Sequence, residues 1–172
     1  MRPSRDSDIL VAGVGGLGCA WAAKAHERVK DNADLLLVDH PHEEMPEVEA
    51  HRLDLGSENH PAGCAMIPQL ARQRMKAHGR NTALILEPIE LVILMVGLGG
   101  GAGSGAAPEL ARQARTSGAL VLSIAALPFE SQSTRATLAD QALVELEKSS
   151  DVCVRLSLDR LAWQARERGS DW

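Results

Sequence analysis

The sequence lacks an apolar segment long enough to cross a bilayer. The longest apolar stretch, residues 89–98, is interrupted by Glu90 and is much shorter than the roughly 20 residues that a membrane helix needs. The beginning of the chain, which is rich in Arg and Asp, contains no apolar signal-peptide core. We therefore expect a cytoplasmic protein without a membrane span.

The patterns of a disulfide framework, a metal site and a nucleic-acid-binding surface are also absent. Cys19, Cys64 and Cys153 are widely spaced and form no C-x-x-C pair, and the histidines fit no helix-face ligand spacing. Lys and Arg number 18 against 23 Asp and Glu, so the net charge is −5, and no long basic run occurs. We predict no disulfide, no protein-ligated metal site and no nucleic-acid partner.

What the sequence does contain is an alternation of short apolar runs with longer segments of helical period. With 172 residues and 45% hydrophobic content, the chain is large enough for one compact domain. The alternation is typical of βαβ units and predicts an α/β domain with a mainly parallel sheet of about six strands. The predicted strands cover residues 9–12, 35–38, 48–55, 91–96, 119–127 and 152–156.

Proline, glycine and capping residues mark the helix boundaries. Pro68 is predicted in the first turn of one helix that runs to residue 86. Pro108 is predicted in the first turn of a later helix, which ends before Gly118 in a C′ position. Asp159 is predicted as the N-cap of the last helix.

A first glycine loop follows the first predicted strand. Residues 13–18 read Gly-Val-Gly-Gly-Leu-Gly, a G-x-G-x-x-G pattern between strand and helix, and Asp39 ends the next strand. In dinucleotide-binding domains such glycines let the backbone approach a diphosphate, and the acidic residue accepts hydrogen bonds from ribose hydroxyls. The pattern predicts nucleotide binding and leaves NAD or ATP open as ligands.

A second, denser glycine loop follows the strand predicted at residues 91–96. Residues 97–105 contain six glycines in nine positions and lead into a helix. Such a loop can turn its N–H groups inward toward a phosphate, and the following helix adds its positive end. We predict that this loop binds phosphate.

The second loop also carries a family resemblance. Its sequence, which continues into Ala106-Ala107-Pro108, resembles the G-G-G-T-G-[ST]-G signature of the tubulin/FtsZ superfamily. Residues 13–18 are similar to that family's first glycine loop, and residues 62–65 to its third. Leu127-Pro128-Phe129 and the later Arg135 continue the similarity, so that nearly the whole chain is covered.

The resemblance implies a Rossmann-like, three-layer nucleotide-binding domain that binds GDP or GTP, with Mg²⁺ accompanying GTP. It implies a ribose or base contact for Arg135, with Glu130 or Gln132 as the substitute for a family glutamate. Asp39 is a further ribose or base candidate. The phosphate contacts that it implies are Gly15, Gly16, Gly99, Gly100, Gly101, Gly103, Ser104 and Gly105. No catalytic residue is assigned.

Several positions depart from the family pattern. Ala102 stands where the signature has threonine, Leu17 and Cys19 replace glycines, and Ala20 replaces an asparagine. Leu158 occupies the position of an asparagine that contacts ribose. The family's central helix and second domain, which carries the catalytic loop, have no counterpart in residues 1–172. Whether the chain is an enzyme therefore stays open, and efficient GTP hydrolysis by this chain alone is not expected.

These observations predict one FtsZ-like domain over residues 1–172, with residues 1–7 disordered. The face that a central helix would cover is expected to expose apolar surface, which a second copy or a protein partner would cover. The favoured function is guanine-nucleotide binding with little or no turnover, coupled to self-association or to an accessory role beside a cytoskeletal partner. A nucleotide-free interaction module and an NAD- or ATP-binding Rossmann protein are the alternatives.

Overall fold

The computed structural model describes residues 7–40, 45–56, 64 and 66–169. Strands and helices alternate along these residues, with a short 3-10 turn at Lys30–Asn32. The strands are β1 (Ile9–Val14), β2 (Asp34–Asp39), β3 (His51–Asp54), β4 (Leu91–Gly97), β5 (Leu120–Leu127) and β6 (Val152–Ser157). The helices are α1 (Gly15–His26), α2 (Pro68–Ala77), α3 (Gly79–Leu86), α4 (Gly101–Thr116), α5 (Ser133–Ser149) and α6 (Leu158–Glu167). Of the segment 1–7 predicted to be disordered, all but Ser7 lies outside the described residues.

The six strands form one parallel sheet in the order β3-β2-β1-β4-β5-β6. This confirms the predicted α/β fold with a parallel sheet of about six strands. Since β1 lies between β2 and β4, the strand order reverses direction at β1. The carboxyl ends of β1 and β4 therefore lie side by side, and each continues into one of the two glycine loops.

Apolar side chains fill both faces of the central strands, as expected for a parallel sheet covered by helices. On one face, Val11 and Leu37 pack with Cys19 and Ala22 of α1. On the other face, residues of β1, β2 and β4 pack against the helices α2, α4 and α5, with Leu110 and Leu146 fully buried. The domain thus has three layers, and none of its described helices is long and apolar enough to span a membrane.

Three predicted helix boundaries are wrong, and each has a local cause. The helix predicted from Pro68 to residue 86 is broken at His78, whose φ of −78° and ψ of 1° end α2 before α3 begins at Gly79. Pro108 lies in the second turn of α4, because this helix begins within the glycine loop at Gly101. Ser157, and not Asp159, caps α6, since its side chain accepts from the backbone N–H of Arg160. Gly118 follows α4 with a φ of +100°, as its predicted C′ position requires.

The sheet surface formed by β4, β5 and β6 on the side opposite α4 and α5 is partly open. We call it the open face; buried and less buried residues alternate along β4 and β5, and both Val152 (54% exposed) and Val154 (41% exposed) in β6 reach solvent. The apolar residues of the open face are Leu91, Ile93, Met95, Leu120, Leu122, Ile124, Val152, Val154 and Leu156. Apolar side chains of β5 and β6, among them Leu120, therefore reach solvent on this face.

One buried carboxylate of α4 holds the side chain that joins this helix to α2. Glu109 is 4% exposed and accepts hydrogen bonds from Arg112 Nε (3.1 Å) and Gln113 Nε2 (3.0 Å). The Gln113 amide also donates to the carbonyl of Met75 in α2. Burial by itself raises the pKa of Glu109, but the hydrogen bonds from Arg112 and Gln113 and the positive charge of Arg112 outweigh it and hold the pKa below its ordinary value of 4.5.

Acid is therefore expected to weaken the α2–α4 contact through Glu109. Because the folded-state pKa is lower than the unfolded one, the stabilisation is present above pH 4.5 and is lost as the pH falls through the folded-state pKa. We expect Glu109→Gln to flatten the loss of unfolding free energy below pH 4.5, measured by urea titration across the acid range. Glu145→Gln, at an exposed ion pair with Lys148, is the control. Parallel acid limbs for the parent and Glu109→Gln would contradict the assignment.

Candidate functional site

The two glycine loops meet at the carboxyl edge of the sheet, where the strand order reverses. In open α/β sheets this reversal point, outside the carboxyl ends of the strands, is where ligands bind. A Cβ atom built on Gly15 of the first loop would lie 3.3 Å from the backbone nitrogen of Gly103 and 3.8 Å from the Cβ of Ala102 in the second. The N-termini of α1 and α4 are thus adjacent.

The first loop depends on Gly15. This residue has a φ of +73°, a left-handed backbone conformation that side chains with a Cβ rarely adopt. Val14 precedes it in the N-cap position of α1, with no side-chain hydrogen bond to the helix. The turn at Gly15 therefore brings the start of α1 directly after β1.

The second loop is held in place from two sides. Gly99 has a φ of +96°, and its N–H donates to Ser104 Oγ at 2.8 Å, while Ser104 is buried. A Cβ on Gly99 would lie 2.8 Å from the backbone oxygen of Arg135 in the first turn of α5. The structure thus places Arg135 beside the loop with an exposed side chain. The ribose or base contact of Arg135 stays a prediction. Because Ser104 Oγ already accepts from Gly99, the hydroxyl hydrogen is what this side chain can offer to a ligand.

The first turns of α1 and α4 supply the hydrogen-bond donors of the site. Helix geometry leaves the first N–H groups without intrahelical acceptors, and these partial positive charges favour anions. In α4 they belong to Gly101, Ala102 and Gly103, after Gly100 in the N-cap position without a side-chain cap. A Cβ on Gly16 or on Gly100 would meet no atom within 4 Å, so the space in front of both loops is open. The arrangement can accept a phosphate or a diphosphate.

Other glycines of the two motifs serve helix packing. A Cβ on Gly103 would collide with the backbone oxygen of Gly97 in β4, and one on Gly105 with the backbone oxygen of Pro68 in α2. In the first motif, Gly13 is pressed against Cys19 and Ala22 of α1. These close contacts require glycine at the three positions whether or not a phosphate binds. The sequence pattern alone does not distinguish the two roles.

The acidic candidates lie at the same carboxyl edge. Asp39 ends β2; it is 5% exposed, and its Oδ1 accepts from the backbone N–H (2.9 Å) and Nδ1 (3.2 Å) of His40. The side chain of Glu130 is exposed, and its backbone N–H donates to Asp159 Oδ2 at 3.0 Å. Sequence reasoning missed this link between the turn after β5 and the start of α6, because no motif signals it.

The thiol nearest to the first loop is chemically inert. Cys19 is fully buried, and its Sγ lies 3.5 Å from the carbonyl oxygen of Gly13. Burial, with a smaller contribution from the negative charge of Asp39, raises the pKa of Cys19 to about 12. The protonated thiol is no nucleophile at neutral pH.

Leu17 partly covers the end of β4. Its Cβ and Cδ2 would each lie 3.1 Å from a Cβ built on Gly97, and the residue is 38% exposed at the mouth of the site. Leu17, which stands where the family pattern has a glycine, therefore occupies space beside the first loop. Of the third loop, predicted at residues 62–65, only Cys64 is among the described residues.

Comparison with known proteins gives consistent matches. The family model described as "Tubulin/FtsZ family, GTPase domain" matches residues 8–164. Cell division protein FtsZ 1 of Pyrococcus horikoshii is 34% identical over 156 residues, which cover 89% of this chain and 42% of that protein. Cell division protein FtsZ of Haloferax mediterranei is 30% identical over 158 residues, 90% of this chain and 42% of that protein. The chain spans less than half the length of these relatives.

Solved structures show the same fold. An empty FtsZ dimer of M. jannaschii superimposes with a TM-score of 0.78 at 22% identity, covering 92% of this chain and 47% of that one. CetZ from Methanosaeta thermophila gives a TM-score of 0.72 at 21% identity, covering 94% and 49%. TubZ of the Clostridium botulinum phage c-st gives 0.70 at 16% identity, covering 89% and 54%.

Proposed function

This chain belongs to the tubulin/FtsZ family, and on that premise we propose that it binds a guanine nucleotide, GDP or GTP, between its two glycine loops. The observation that carries the proposal is the contact between Gly15 and Gly103, which aligns the uncapped N-termini of α1 and α4 on one open space. Two helix N-termini directed at one point favour a ligand with more than one negative charge.

The phosphates would lie against the backbone of the open glycines. Gly16 and Gly100 leave room for close approach, and the N–H groups of Gly101, Ala102 and Gly103 supply donors. Arg135, held beside Gly99, supplies the positive charge for a contact to the nucleoside or its phosphates. Gly105 and Gly103 keep α4 close to its neighbours and support the site through packing.

Mg²⁺ would enter this site with GTP. Across residues 7–40, 45–56, 64 and 66–169, no group of three or more His, Cys, Asp or Glu side chains is arranged to hold an ion. Magnesium is commonly held by substrate phosphates together with one or two carboxylates and water. We therefore propose that the phosphates of GTP and water, and not protein side chains, supply most of the ligands of the ion.

Binding is proposed to occur with little or no hydrolysis. Ala102 places a methyl group 3.8 Å from the Cβ position of Gly15, so it offers no hydroxyl to a terminal phosphate. Without a hydroxyl for the terminal phosphate, the site gains little from a third phosphate, and we expect GDP and GTP to have similar affinities.

We further propose that the domain acts by self-association or beside a cytoskeletal partner. Relatives carry the names cell division protein FtsZ and protofilament of TubZ. A protein of this family with an open apolar face and two adjacent glycine loops fits such a role better than an isolated metabolic enzyme.

Isothermal titration calorimetry with GDP, GTP, ATP and NAD, each with and without Mg²⁺, tests the proposed ligand. We expect heat from GDP and GTP, with dissociation constants within about tenfold of each other, a difference of roughly 1.4 kcal/mol. ATP and NAD should give none, and phosphate release from GTP should not exceed the rate without protein. Absence of heat with both guanine nucleotides would favour the nucleotide-free interaction module.

The dinucleotide alternative has its own test. It requires the Asp39 carboxylate, which is buried and already bonded to His40, to turn toward a ribose. If NAD or ATP binds and Asp39→Ala abolishes that binding while Gly101→Val leaves it intact, the alternative is correct and the guanine proposal is not.

A further inference from the structure

The two edges of the sheet are built differently. β3 has four residues, among them the charged Arg52 and Asp54, and the Arg52 side chain donates to the backbone oxygens of Pro46 (2.6 Å) and Val48 (3.0 Å). Short, charged edge strands resist pairing with other chains. β6 has six residues, no proline and one charged residue, Arg155, and its Val152 and Val154 are exposed. This second edge lacks the usual protection.

The backbone groups at the β6 edge can be assigned from the register. The N–H of Leu120 donates to the oxygen of Glu90, so the even-numbered residues of β5 bond toward β4 and the odd-numbered ones toward β6. With Leu122 opposite Val152, residues 152, 154 and 156 bond toward β5. The N–H and C=O groups of Cys153 and Arg155 therefore point to the free edge.

The edge is self-complementary when two copies meet antiparallel about a two-fold axis at Val154. Cys153 and Arg155 of one copy then lie opposite Arg155 and Cys153 of the other, and each pair can exchange two hydrogen bonds. Val154 faces its own copy. Val152 faces Leu156 on the same side, so the open faces join without a charged residue between them.

The charge at this edge is already balanced within each copy. Arg155 donates from Nε to Glu147 Oε1 of α5 at 2.6 Å, so pairing places no unneutralised arginine against another. Val144, 50% exposed, lies one turn before Glu147 on α5 and adds apolar area on the helix side of the edge.

We propose that two copies of this chain form a closed, two-fold dimer by antiparallel pairing of β6, which joins their sheets into one of twelve strands, twice the six of each copy. The proposal specifies the self-association proposed above and does not require nucleotide. An interface of one strand pair lies at the small end of protein interfaces, and we expect a micromolar dissociation constant. Because the contact is isologous, association stops at two copies.

Sedimentation velocity in nucleotide-free buffer, over a range of micromolar concentrations, measures the dimer. Val154→Lys puts two ammonium groups opposite each other on the axis and should weaken dimerisation at least about tenfold. Leu84→Lys makes the same kind of change at an exposed apolar residue of α3 and should leave the dimer intact. Leu120→Lys, on the open face away from the edge, should also leave it intact.

Disulfide trapping tests the register and does not depend on how well Val154→Lys folds. In a Cys153→Ser background, Val154→Cys should cross-link on mild oxidation, since side chains are closest in a directly opposed pair that exchanges no hydrogen bonds. Leu84→Cys in the same background should not cross-link. The native Cys153 should not cross-link either, because its counterpart lies two positions away along the partner strand, beyond disulfide reach.

Three results would overturn the proposal. They are a monomer at every concentration, a dimer that Leu120→Lys breaks and Val154→Lys does not, and disulfide cross-linking through the native Cys153. Titration of the Val154→Lys variant with GDP distinguishes a failure of the dimer proposal from a failure of the proposed nucleotide binding. Unchanged GDP binding by the monomeric variant supports the edge dimer as an independent property, whereas loss of both together contradicts it.

Discussion

The Gly100→Asp variant is expected to fold at least as stably as the parent protein and to lose guanine-nucleotide binding by about 100-fold or more. Gly100 occupies the N-cap of α4 with extended backbone angles (φ −104°, ψ 170°) and open space around its Cβ position. Aspartate is a preferred N-cap residue and gains a few tenths of a kcal/mol over glycine there. Its carboxylate would accept from the N–H groups that the phosphates need.

The size of the binding loss follows from those N–H groups. Hydrogen bonds to charged groups contribute about 1.5–3 kcal/mol each, and losing two of them costs about 3 kcal/mol or more. At 1.4 kcal/mol for each factor of ten, this is about a 100-fold rise in the dissociation constant, before repulsion between carboxylate and phosphate is added. Calorimetry with GDP and urea unfolding of the apo protein measure the two effects.

Gly79→Asp is the control that adds the same charge at the start of another helix. Gly79 begins α3, and its Cβ position is also open. The variant should bind GDP as the parent does. Equal weakening by both substitutions would mean that net charge, and not the α4 N-terminus, governs binding. Unchanged GDP binding by Gly100→Asp would show that the phosphates do not bind at this loop.

Gly105→Ala is expected to lower the free energy of unfolding by about 2 kcal/mol, against the usual effect of this substitution. In an open helix interior, alanine is favoured over glycine by about 1 kcal/mol. At Gly105 the added methyl group would collide with the backbone oxygen of Pro68, which cannot move without separating α2 from α4. Overpacking costs about 1–3 kcal/mol and more when backbone must shift, so the collision outweighs the propensity gain.

Thermal and urea unfolding check this result. For a chain of this length, about 2 kcal/mol corresponds to a fall in Tm of roughly 4–8 °C. Gly79→Ala, where the Cβ position is open, should leave stability equal or slightly higher. A stabilised Gly105→Ala variant would show that α2 and α4 are less closely packed than these contacts indicate.

Much of the fold could be predicted from local sequence. The apolar runs at β1, β2, β4 and β5 are too short for helices and are bounded by turn residues, so they could be recognised as strands. The two glycine loops follow β1 and β4, which are neighbours where the strand order reverses. These features are encoded in residues that are neighbours in sequence, or in a family signature.

Other features depend on residues that are distant in sequence. The sequence assigned Gly103 and Gly105 to phosphate, yet their closest contacts are backbone oxygens of Gly97 and Pro68, which become neighbours only after α2 and β4 pack on α4. Ser104, a predicted phosphate contact, also holds the loop, because its hydroxyl oxygen accepts from the N–H of Gly99 and leaves the hydroxyl hydrogen for a ligand. The phosphate contacts themselves remain predictions.

The reversal of strand order at β1 also affects how the chain folds. β1 pairs with β2 on one side and with β4 on the other, so its second partner begins at Leu91, about eighty residues after β1 begins. Such distant pairings close large loops and slow the search for the native topology. During N-to-C synthesis the first strand therefore keeps one unpaired apolar edge until β4 has left the ribosome, and in that interval the nascent chain is most exposed to aggregation.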